Sequence, residues 1–234
     1  MQRVLLPVFL VLVIGCAGHN TNNDYIGNAF LGAPYISDPL GEGVAPDTDP
    51  IIRFDAFDCT TFVETSLAGG DAQKLNKIRY RDGVPNFINR NHFIETDWLE
   101  NNSDIVENIS HKFGKTRVRH VIIDKKNWFK TVHNIDTDFA KTATNLEYIP
   151  LKNAIDINPP HPVIVLFIIN NPKISAKIGT DLAVRHMGFL LPGGVLRHAS
   201  RKQKRVVDVN FDKYIQGLLE NKNNLGIMLL DIKK

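Results

Sequence analysis

Residues 54–64 of the 234-residue chain read Phe-Asp-Ala-Phe-Asp-Cys-Thr-Thr-Phe-Val-Glu. Asp58 is a favourable N-cap, and apolar residues recur after it with helical spacing, so the sequence predicts a helix from Asp58 to Leu67. Cys59 then lies in the first turn, where unpaired N–H groups and the helix dipole favour a thiolate over a thiol. Cys59 is therefore a candidate nucleophile. The alternative interpretation is a small buried residue on an amphipathic helix.

The overall composition is that of a folded protein with a sizeable core. Hydrophobic residues make up 43% of the chain, and the formal net charge is +3. This length suits one domain, and so small a positive charge gives no indication of nucleic acid as a partner. A dense basic run at residues 201–205 lies between two predicted strands. It is interpreted as a solvated turn, with an anionic-ligand patch as the alternative.

The amino-terminal segment is typical of an export signal. Its apolar run from Val4 to Ile14 is too short to span a bilayer, which favours a signal peptide over residues 1–15. The run ends in Val-Ile-Gly-Cys, which resembles a bacterial lipoprotein box. We therefore expect Cys16 to be lipidated, residues 16–24 to form a polar tether, and the protein to be an exported, membrane-anchored lipoprotein facing the periplasm or cell wall. The alternative is a plain secretory signal with a disulfide between Cys16 and Cys59.

Beyond this segment, the element pattern predicts an α+β fold in a single catalytic domain, residues 25–234. Asp71 is expected to cap a second short helix. The stretch around residues 84–160 is interpreted as a helical insertion that also holds one strand. Its predicted elements are a helix from Ser103 to His111, a strand from Arg117 to Asp124 and a helix from Trp128 to Ala143.

From Pro162 onward the pattern changes to short apolar runs that indicate strands. The predicted strands are Val163 to Ile169, Ala183 to Leu191, Val195 to Ala199, Val206 to Val209 and Leu225 to Ile232, with a helix from Phe211 to Glu220. Because the helices come first in the chain and the strands later, we expect the N-terminal helices that carry the cysteine to pack on a C-terminal antiparallel meander sheet.

Two histidines lie in this predicted meander. The turn at residues 192–194, Pro-Gly-Gly, predicts a hairpin in which Leu191 pairs with Val195. In that register His186 and His198 point to the same face of the sheet, about 7–8 Å apart at the backbone. One ring can then hydrogen-bond and orient the other, and a helix packed on that face could bring the cysteine against His186.

This arrangement gives each residue a chemical role. Cys59 would attack a carbonyl as thiolate, His186 would stabilise the thiolate and later protonate the leaving nitrogen, and His198 would fix the tautomer and ring angle of His186. The backbone N–H of Cys59 would donate to the developing oxyanion. A lone strand histidine is more often structural. A metal site made from these three residues lacks a closely spaced ligand pair, so no cofactor is expected.

These residues resemble the NlpC-type papain-like cell-wall hydrolases, which have a cysteine at a helix N-terminus, a His-x-Gly strand and a third polar residue on the next strand. The stretches that carry the resemblance are 58–64, 186–190 and 198–200. Three stretches resemble more narrowly the N-acetylmuramoyl-L-alanine amidase-like branch of that family, namely 54–64, 78–83 and 90–98. The likeness spans about residues 25–232.

The resemblance implies hydrolysis of the amide between N-acetylmuramic acid and L-alanine of muropeptides by a Cys-His-His triad, without a metal. It also implies a set of substrate-binding residues along the cleft: Asp58, Thr60, Arg79, Tyr80, Arg81, Arg90, His92, Asp97 and Trp98. Arginines suit the carboxylates of the substrate, and Trp98 suits a sugar face. The alternative is structural, with Arg79 and Arg81 ion-paired to Asp82 or Glu64 and Trp98 in the core.

Other functions stay open at this stage. The same machinery could cut between D-glutamate and the diamino acid of peptidoglycan fragments, as an endopeptidase. A lipoprotein that binds wall fragments without cutting them, and an acyltransferase, are further alternatives. Many NlpC-type enzymes also carry an active-site tyrosine about a dozen residues before the cysteine. Here the nearest upstream tyrosine is Tyr35, 24 residues away, so the source of a second oxyanion donor stays undetermined.

Overall fold

The computed structural model describes residues 26–233, which form an α+β fold around one antiparallel sheet. The strands are β1 (Val106–Asn108), β2 (Arg117–Ile123), β3 (Thr142–Pro150), β4 (Val163–Ile169), β5 (Val184–Leu191), β6 (Val195–Ser200), β7 (Arg205–Asn210) and β8 (Asn224–Ile232). The α-helices are α1 (Cys59–Ala68), α2 (Ala72–Arg79), α3 (Leu99–Asn101), α4 (Lys125–Trp128), α5 (Pro172–Ile178) and α6 (Phe211–Leu219). The sheet order is β2-β3-β8-β4-β5-β6-β7, and β1 pairs with β8.

Strand β4 is apolar at every position because both faces of the sheet are covered. Ile164 and Leu166 belong to one core, which also contains Phe62 of α1. Val163 and Val165 belong to a second core, which contains the buried residues of α6. Helices therefore pack on both sides of the sheet, with α1 and α6 on opposite faces.

The predicted elements around the cysteine and after Pro162 are confirmed. Helix α1 begins after Asp58 and ends at Gly69, a glycine with a left-handed φ of 61°. Helix α2 begins after Asp71, whose carboxylate accepts the backbone N–H groups of the first turn. The five predicted C-terminal strands and the helix between the last two are present within a few residues of their expected ends. The α+β class and the antiparallel sheet are thus confirmed.

Within residues 84–160 the predicted strand from Arg117 is confirmed as β2, but the two predicted helices were wrong. Where a helix from Ser103 to His111 was expected, β1 pairs with the C-terminal strand. In the expected helix from Trp128 to Ala143, a single π-helical turn ends at Asn134, whose φ of 54° stops the helix. The chain then enters β3, which pairs with β2 and β8. The sheet is therefore larger than the C-terminal meander, and β8 returns to its middle.

The predicted signal peptide, the lipidated Cys16 and the tether of residues 16–24 lie outside the described residues. Within residues 26–233, every helix is too short or too polar to cross a bilayer.

Candidate active site

Cys59 is the first residue of α1 and is partly exposed. Asp58 and Thr61 form a capping box: the Asp58 carboxylate accepts the backbone N–H of Thr61 at 2.8 Å, and the Thr61 hydroxyl accepts that of Asp58 at 3.0 Å. Because the box fixes the first turn, the cysteine side chain has a defined direction. The backbone N–H of Met187 donates to the sulfur. This contact ties the helix start to β5, the strand that carries His186.

Helix α1 and the two histidines lie against different faces of the sheet. Phe62 of α1 packs edge-on against Phe189 of β5, with 5.7 Å between ring centroids. Side chains alternate along a strand, so His186 points to the other face, where its ring lies 5.4 Å from that of Phe167. The expectation that α1 packs on the histidine-bearing face was therefore wrong.

The cysteine reaches the histidines through a gap between β5 and β6. These strands pair only next to their turn, and before Phe189 β5 has no partner in β6. Met187 lies in this open part, and its N–H contacts the Cys59 sulfur where a partner in β6 is missing. The thiol therefore lies where the strands separate, and Cys59, His186 and His198 line one cavity.

His186 and His198 contact each other directly. Nε2 of His186 lies 2.7 Å from Nδ1 of His198, and the rings are nearly perpendicular. One nitrogen donates and the other accepts, which leaves Nδ1 of His186 for a further partner. A Cβ added at Gly188 would lie 2.9 Å from Cβ of His198, so the glycine permits this close approach. The predicted hairpin register, with Leu191 opposite Val195, is confirmed.

Burial holds both reacting groups in their neutral forms. Desolvation, with the nearby charge of Asp58, raises the pKa of the Cys59 thiol to about 12. Desolvation, with the charges of His198 and Arg185, lowers the pKa of His186 to about 3. The expected resting thiolate is contradicted, because desolvation outweighs the hydrogen bonds that the sulfur receives from Met187 and Thr60. The resting pair is a thiol beside a neutral imidazole, so the His186 ring has a nitrogen lone pair that can accept the thiol proton.

This resting state predicts how Cys59 reacts with iodoacetamide. Only the thiolate is alkylated, and below a pKa of about 12 its fraction rises about tenfold per pH unit. The alkylation rate of the free enzyme is therefore expected to rise steeply and without a plateau between about pH 6 and pH 9. Mass spectrometry of samples quenched over time measures this rate. A rate that is high and constant across this range would show a preformed thiolate–imidazolium pair instead.

Two cavities share Cys59, Arg185 and His186 among their lining residues. The larger has a volume of about 670 Å³ and extends past His198 to α6 and to the turn between β6 and β7. The smaller has a volume of about 150 Å³ and extends past Thr60 towards the segment before α3. A substrate whose scissile bond lies at the Cys59 sulfur can therefore extend into either cavity.

Several residues that the resemblance placed along the cleft lie in the core instead. Tyr80 and Trp98 have no exposed surface, and Arg79 is 4% exposed. The Trp98 indole N–H and the Arg79 guanidinium both donate to the Glu64 carboxylate, at 3.1 and 2.9 Å. The Tyr80 hydroxyl donates to the backbone carbonyl of Gly41. A buried indole cannot stack on a sugar, so the predicted substrate roles of Trp98 and Tyr80 were wrong, and the alternative pairing of Arg79 with Glu64 is confirmed.

The buried pair predicts a large effect on stability. Arg79→Met leaves Glu64 buried without its cation, which is expected to lower the free energy of unfolding by about 3 kcal/mol. The deficit is expected to shrink as the pH falls, because burial already raises the pKa of Glu64 and the lone carboxyl can fold protonated. Chemical denaturation at pH 8 and pH 5 measures both effects. Lys74→Met, on the exposed face of the same helix, is the matched control, and equal effects of the two variants would contradict the prediction.

Arg90 is held by carboxylates of the protein. Its guanidinium donates to both oxygens of Glu42, at 2.9 and 2.7 Å, and to Asp47 at 2.6 Å. It is therefore already paired, although Arg90, like Arg79, lines the groove that passes Asp58 and Thr60, and its role in binding a substrate carboxylate stays a prediction. Arg81 donates to Asn89, and Asp97 is paired with Lys125 at 3.0 Å. Arg81 and Asp97 line a separate cavity that does not include the cysteine.

Asp58, Thr60 and His92 do lie along a groove beside the cysteine, as the resemblance implied. This groove has a volume of about 300 Å³, and Trp128 also lines it. The His92 ring lies 4.8 Å from that of Trp128, and its Nε2 lies 2.6 Å from the carbonyl oxygen of Phe87. Burial lowers the pKa of His92 to about 3, so the ring is neutral. Trp128, rather than Trp98, is the tryptophan placed to contact a ligand in this groove.

Sequence reasoning did not assign three residues near the reacting groups. Tyr35 lines the large cavity together with Cys59, because a bridge to Phe57 brings it beside the entry to α1. Tyr214 of α6 packs 5.2 Å from the ring of His198. The Glu95 carboxylate accepts both N–H groups at the start of β5, at 2.6 Å each. Of these, only Tyr35 carried a signal in the sequence, as the nearest tyrosine upstream of Cys59.

The fold and the site define an α+β protein in which a cysteine at a helix start and two histidines line one cleft. The family model described as N-acetylmuramoyl-L-alanine amidase-like matches residues 25–220, and the chain belongs to that family. It is thus an amidase-like enzyme that acts on peptidoglycan, which confirms the family expected from residues 54–64.

Several solved structures have the same fold. A protein from Legionella pneumophila str. Philadelphia 1 is 24% identical, with a TM-score of 0.79 over 89% of this chain and 87% of that one. An N-acetylmuramoyl-L-alanine amidase from Bacteroides uniformis ATCC 8492 is 25% identical, with a TM-score of 0.69 over 89% and 96%. A putative xylanase from Bacteroides fragilis is 26% identical, with a TM-score of 0.68 over 88% and 98%. No curated protein matches the chain.

Proposed function

We propose that the protein hydrolyses the amide between the lactyl carboxyl of N-acetylmuramic acid and L-alanine of muropeptides, with Cys59, His186 and His198 as a papain-like triad. The observation that carries the proposal is the 2.7 Å contact between the two imidazoles in a cavity that Cys59 also lines. A nucleophile, a base and a group that orients the base are the three parts that nucleophilic amide hydrolysis needs.

The reaction proceeds in two balanced steps. His186 takes the thiol proton as the Cys59 sulfur attacks the lactyl carbonyl carbon. The carbon–nitrogen bond then breaks, the proton passes from His186 to the leaving amine of L-alanine, and a thioester of the muramic acid remains on the sulfur. His186 then deprotonates a water that attacks the thioester carbonyl, the carbon–sulfur bond breaks to release the free lactyl carboxyl, and His186 returns the proton to the Cys59 sulfur. His198 holds the His186 ring throughout and supports the imidazolium that forms.

Two groups serve as oxyanion donors in this proposal. The backbone N–H of Cys59 belongs to the first turn of α1, where an α-helix has no acceptor of its own to offer. Tyr35 lines the same cavity as the cysteine, and burial raises the pKa of its phenol, so the hydroxyl is protonated and able to donate. Tyr35 thus takes the part that the family gives to a tyrosine closer to the cysteine in sequence.

The role of Tyr35 can be tested by removing its hydroxyl. Tyr35→Phe is expected to lower kcat by about 10² with little change in KM, because an oxyanion donor acts mainly in the transition state. Ser37→Ala is the matched control, since it removes the hydroxyl that hydrogen-bonds to Tyr35 and keeps the phenol. Steady-state kinetics on a muropeptide measure both. Equal losses in the two variants, or a change in KM alone, would exclude the oxyanion role.

The product identifies the bond. A muramyl tripeptide incubated with the enzyme is expected to release the intact tripeptide that begins with L-alanine, as seen by mass spectrometry. Release of a dipeptide-bearing sugar and a free diamino acid would assign the endopeptidase activity instead. Binding without any release would assign a wall-binding protein.

We also propose that the enzyme is exported and anchored to a membrane through a lipid on Cys16, as the Val-Ile-Gly-Cys segment indicates. Fractionation of cells that express the full chain or its Cys16→Ala variant tests this. The full chain is expected with the membranes and the variant in the soluble exported fraction. A full chain that is soluble would refute the anchor.

A further inference from the structure

The larger of the two cavities at the cysteine has a one-sided charge. Among residues 26–233, the charged residues that line it are Arg185, Arg201, Lys202 and Lys213, without any aspartate or glutamate. We refer to these four residues as the basic rim. Arg185 comes from β5, Lys213 from α6, and the other two from the turn between β6 and β7. Four cations from three parts of the chain therefore converge on the mouth that leads to the sulfur.

The rim cations are exposed and form no ion pair with a carboxylate among the described residues. All four residues are exposed, and among residues 26–233 the ion pairs within 4.0 Å do not include any of them. Arg185 donates to the neutral amide oxygen of Asn224, at 3.3 Å. This contrasts with Arg79 and Arg90, the arginines that the sequence had suggested for carboxylate binding, which are buried and paired.

The rim is close enough to the reacting groups to influence them. The charge of Arg185 contributes to the lowered pKa of His186, and the charge of Arg201 opposes the raised pKa of Tyr35. The rim cations therefore lie near the reacting atoms, within reach of a substrate that occupies the cysteine. An anionic group of the substrate, bound a few ångströms from the scissile bond, would meet them.

We infer that the basic rim binds the free carboxylates of the stem peptide, so that the enzyme selects fragments whose second residue, D-glutamate, keeps its α-carboxylate. This inference rests on the proposed function, because it assumes that the stem peptide is the leaving half of the substrate. Arginine and lysine are suited to carboxylates, and a cavity lined by one sign of charge concentrates the oppositely charged ligand. The volume of about 670 Å³ is within the range of pockets that hold ligands of drug-like size or larger.

The inference gives the dense basic run of residues 201–205 a function. Its ordinary interpretation was a solvated turn, and the turn is indeed exposed. In the structure, Arg201 and Lys202 of this run line the cavity that Cys59 also lines. The alternative interpretation, a patch for an anionic ligand, is the one we adopt.

A matched pair of substrates tests the inference. Muramyl tripeptides that carry either D-glutamate or D-isoglutamine at the second position differ in a single carboxylate. The wild-type enzyme is expected to favour the free acid about tenfold in kcat/KM, and the double variant Arg201→Gln/Lys202→Gln is expected to reduce that ratio to about threefold or less. A general loss of activity lowers kcat/KM for both substrates equally and leaves their ratio unchanged, because both substrates share the same catalytic step. Lys222→Gln, an exposed cation outside the cavity, is expected to keep the wild-type ratio.

The outcomes separate this inference from the proposed function. The inference about the basic rim fails if the L-alanine peptide is released with equal kcat/KM from both substrates. It also fails if the double variant keeps the wild-type ratio of the two kcat/KM values. In both cases the proposed amidase function stands. A ratio that collapses in the double variant and not in Lys222→Gln supports the rim. Failure of the wild-type enzyme to release that peptide from either substrate overturns the proposed function, and the inference with it.

Discussion

Cys59→Ala is expected to lower the turnover of a muramyl tripeptide by at least about 10⁴-fold while the variant still binds it. The Cys59 sulfur is the nucleophile of the proposed mechanism, and the thioester cannot form without it. The loss is expected in kcat. Binding is retained because the cavity walls and the rim cations do not depend on the sulfur.

Cys59→Ser and a binding titration complete this test. The serine variant keeps a hydroxyl of similar size, but a neutral imidazole activates an alcohol far less effectively than a thiol, so it too is expected to be nearly inactive. Isothermal titration of the alanine variant with the intact tripeptide checks that binding survives. Turnover that persists in the alanine variant would mean that another group performs the chemistry.

His186→Ala is expected to lower kcat by about 10³-fold, because the thiol then has no base and the leaving amine no acid. The resting thiol makes this dependence strong, since the pKa of Cys59 is raised to about 12 and few molecules ionise without help at neutral pH. Steady-state kinetics at pH 7 measure the loss. A variant that recovers most of its rate at pH 9 without the imidazole would contradict the role of His186 as acid to the leaving group.

The partner histidine has a smaller, graded effect that separates positioning from catalysis. His198→Ala removes the 2.7 Å contact to His186 and is expected to cost about 10²-fold in kcat, whereas His198→Asn keeps a side-chain oxygen that can accept from the His186 ring and is expected to recover much of it. Equal losses in both variants would indicate that His198 has only a packing role.

The parts of the fold that follow from local signals were predictable from sequence. The N-cap at Asp58 and the glycine that ends α1 depend on neighbouring residues only. The Pro-Gly-Gly turn set the hairpin register, and with it the shared face of His186 and His198. The histidine pair could therefore be expected from sequence alone.

The missed elements depend on partners far away in the chain. β1 is three residues long and becomes a strand only by pairing with β8, more than a hundred residues later. β3 likewise lies between β2 and β8. Pairing with these strands overrides the weak helical pattern of the residues that precede β3. No local pattern in residues 84–160 carries that information.

The site was predictable in its reacting groups and not in its surroundings. Arginines at positions 79 and 90 matched the family pattern, yet their acidic partners Glu64 and Glu42 lie 15 and 48 residues away in sequence. Its position in a family motif suggested that Trp98 stacks on a ligand, but its side chain is buried and donates to Glu64. Whether a charged or aromatic side chain faces the cleft is decided by the three-dimensional packing of distant segments, which one sequence does not display.

The central claim is that the Cys59 sulfur attacks the lactyl carbonyl and carries the sugar as a thioester. Intact-mass spectrometry of the enzyme, quenched in acid during turnover of a muramyl tripeptide and followed by peptide mapping, tests it most directly. The account predicts an adduct on Cys59 with the mass of N-acetylmuramic acid less water and without any amino acid of the stem. An adduct that retains L-alanine and D-glutamate, or one that maps to another residue, would contradict it.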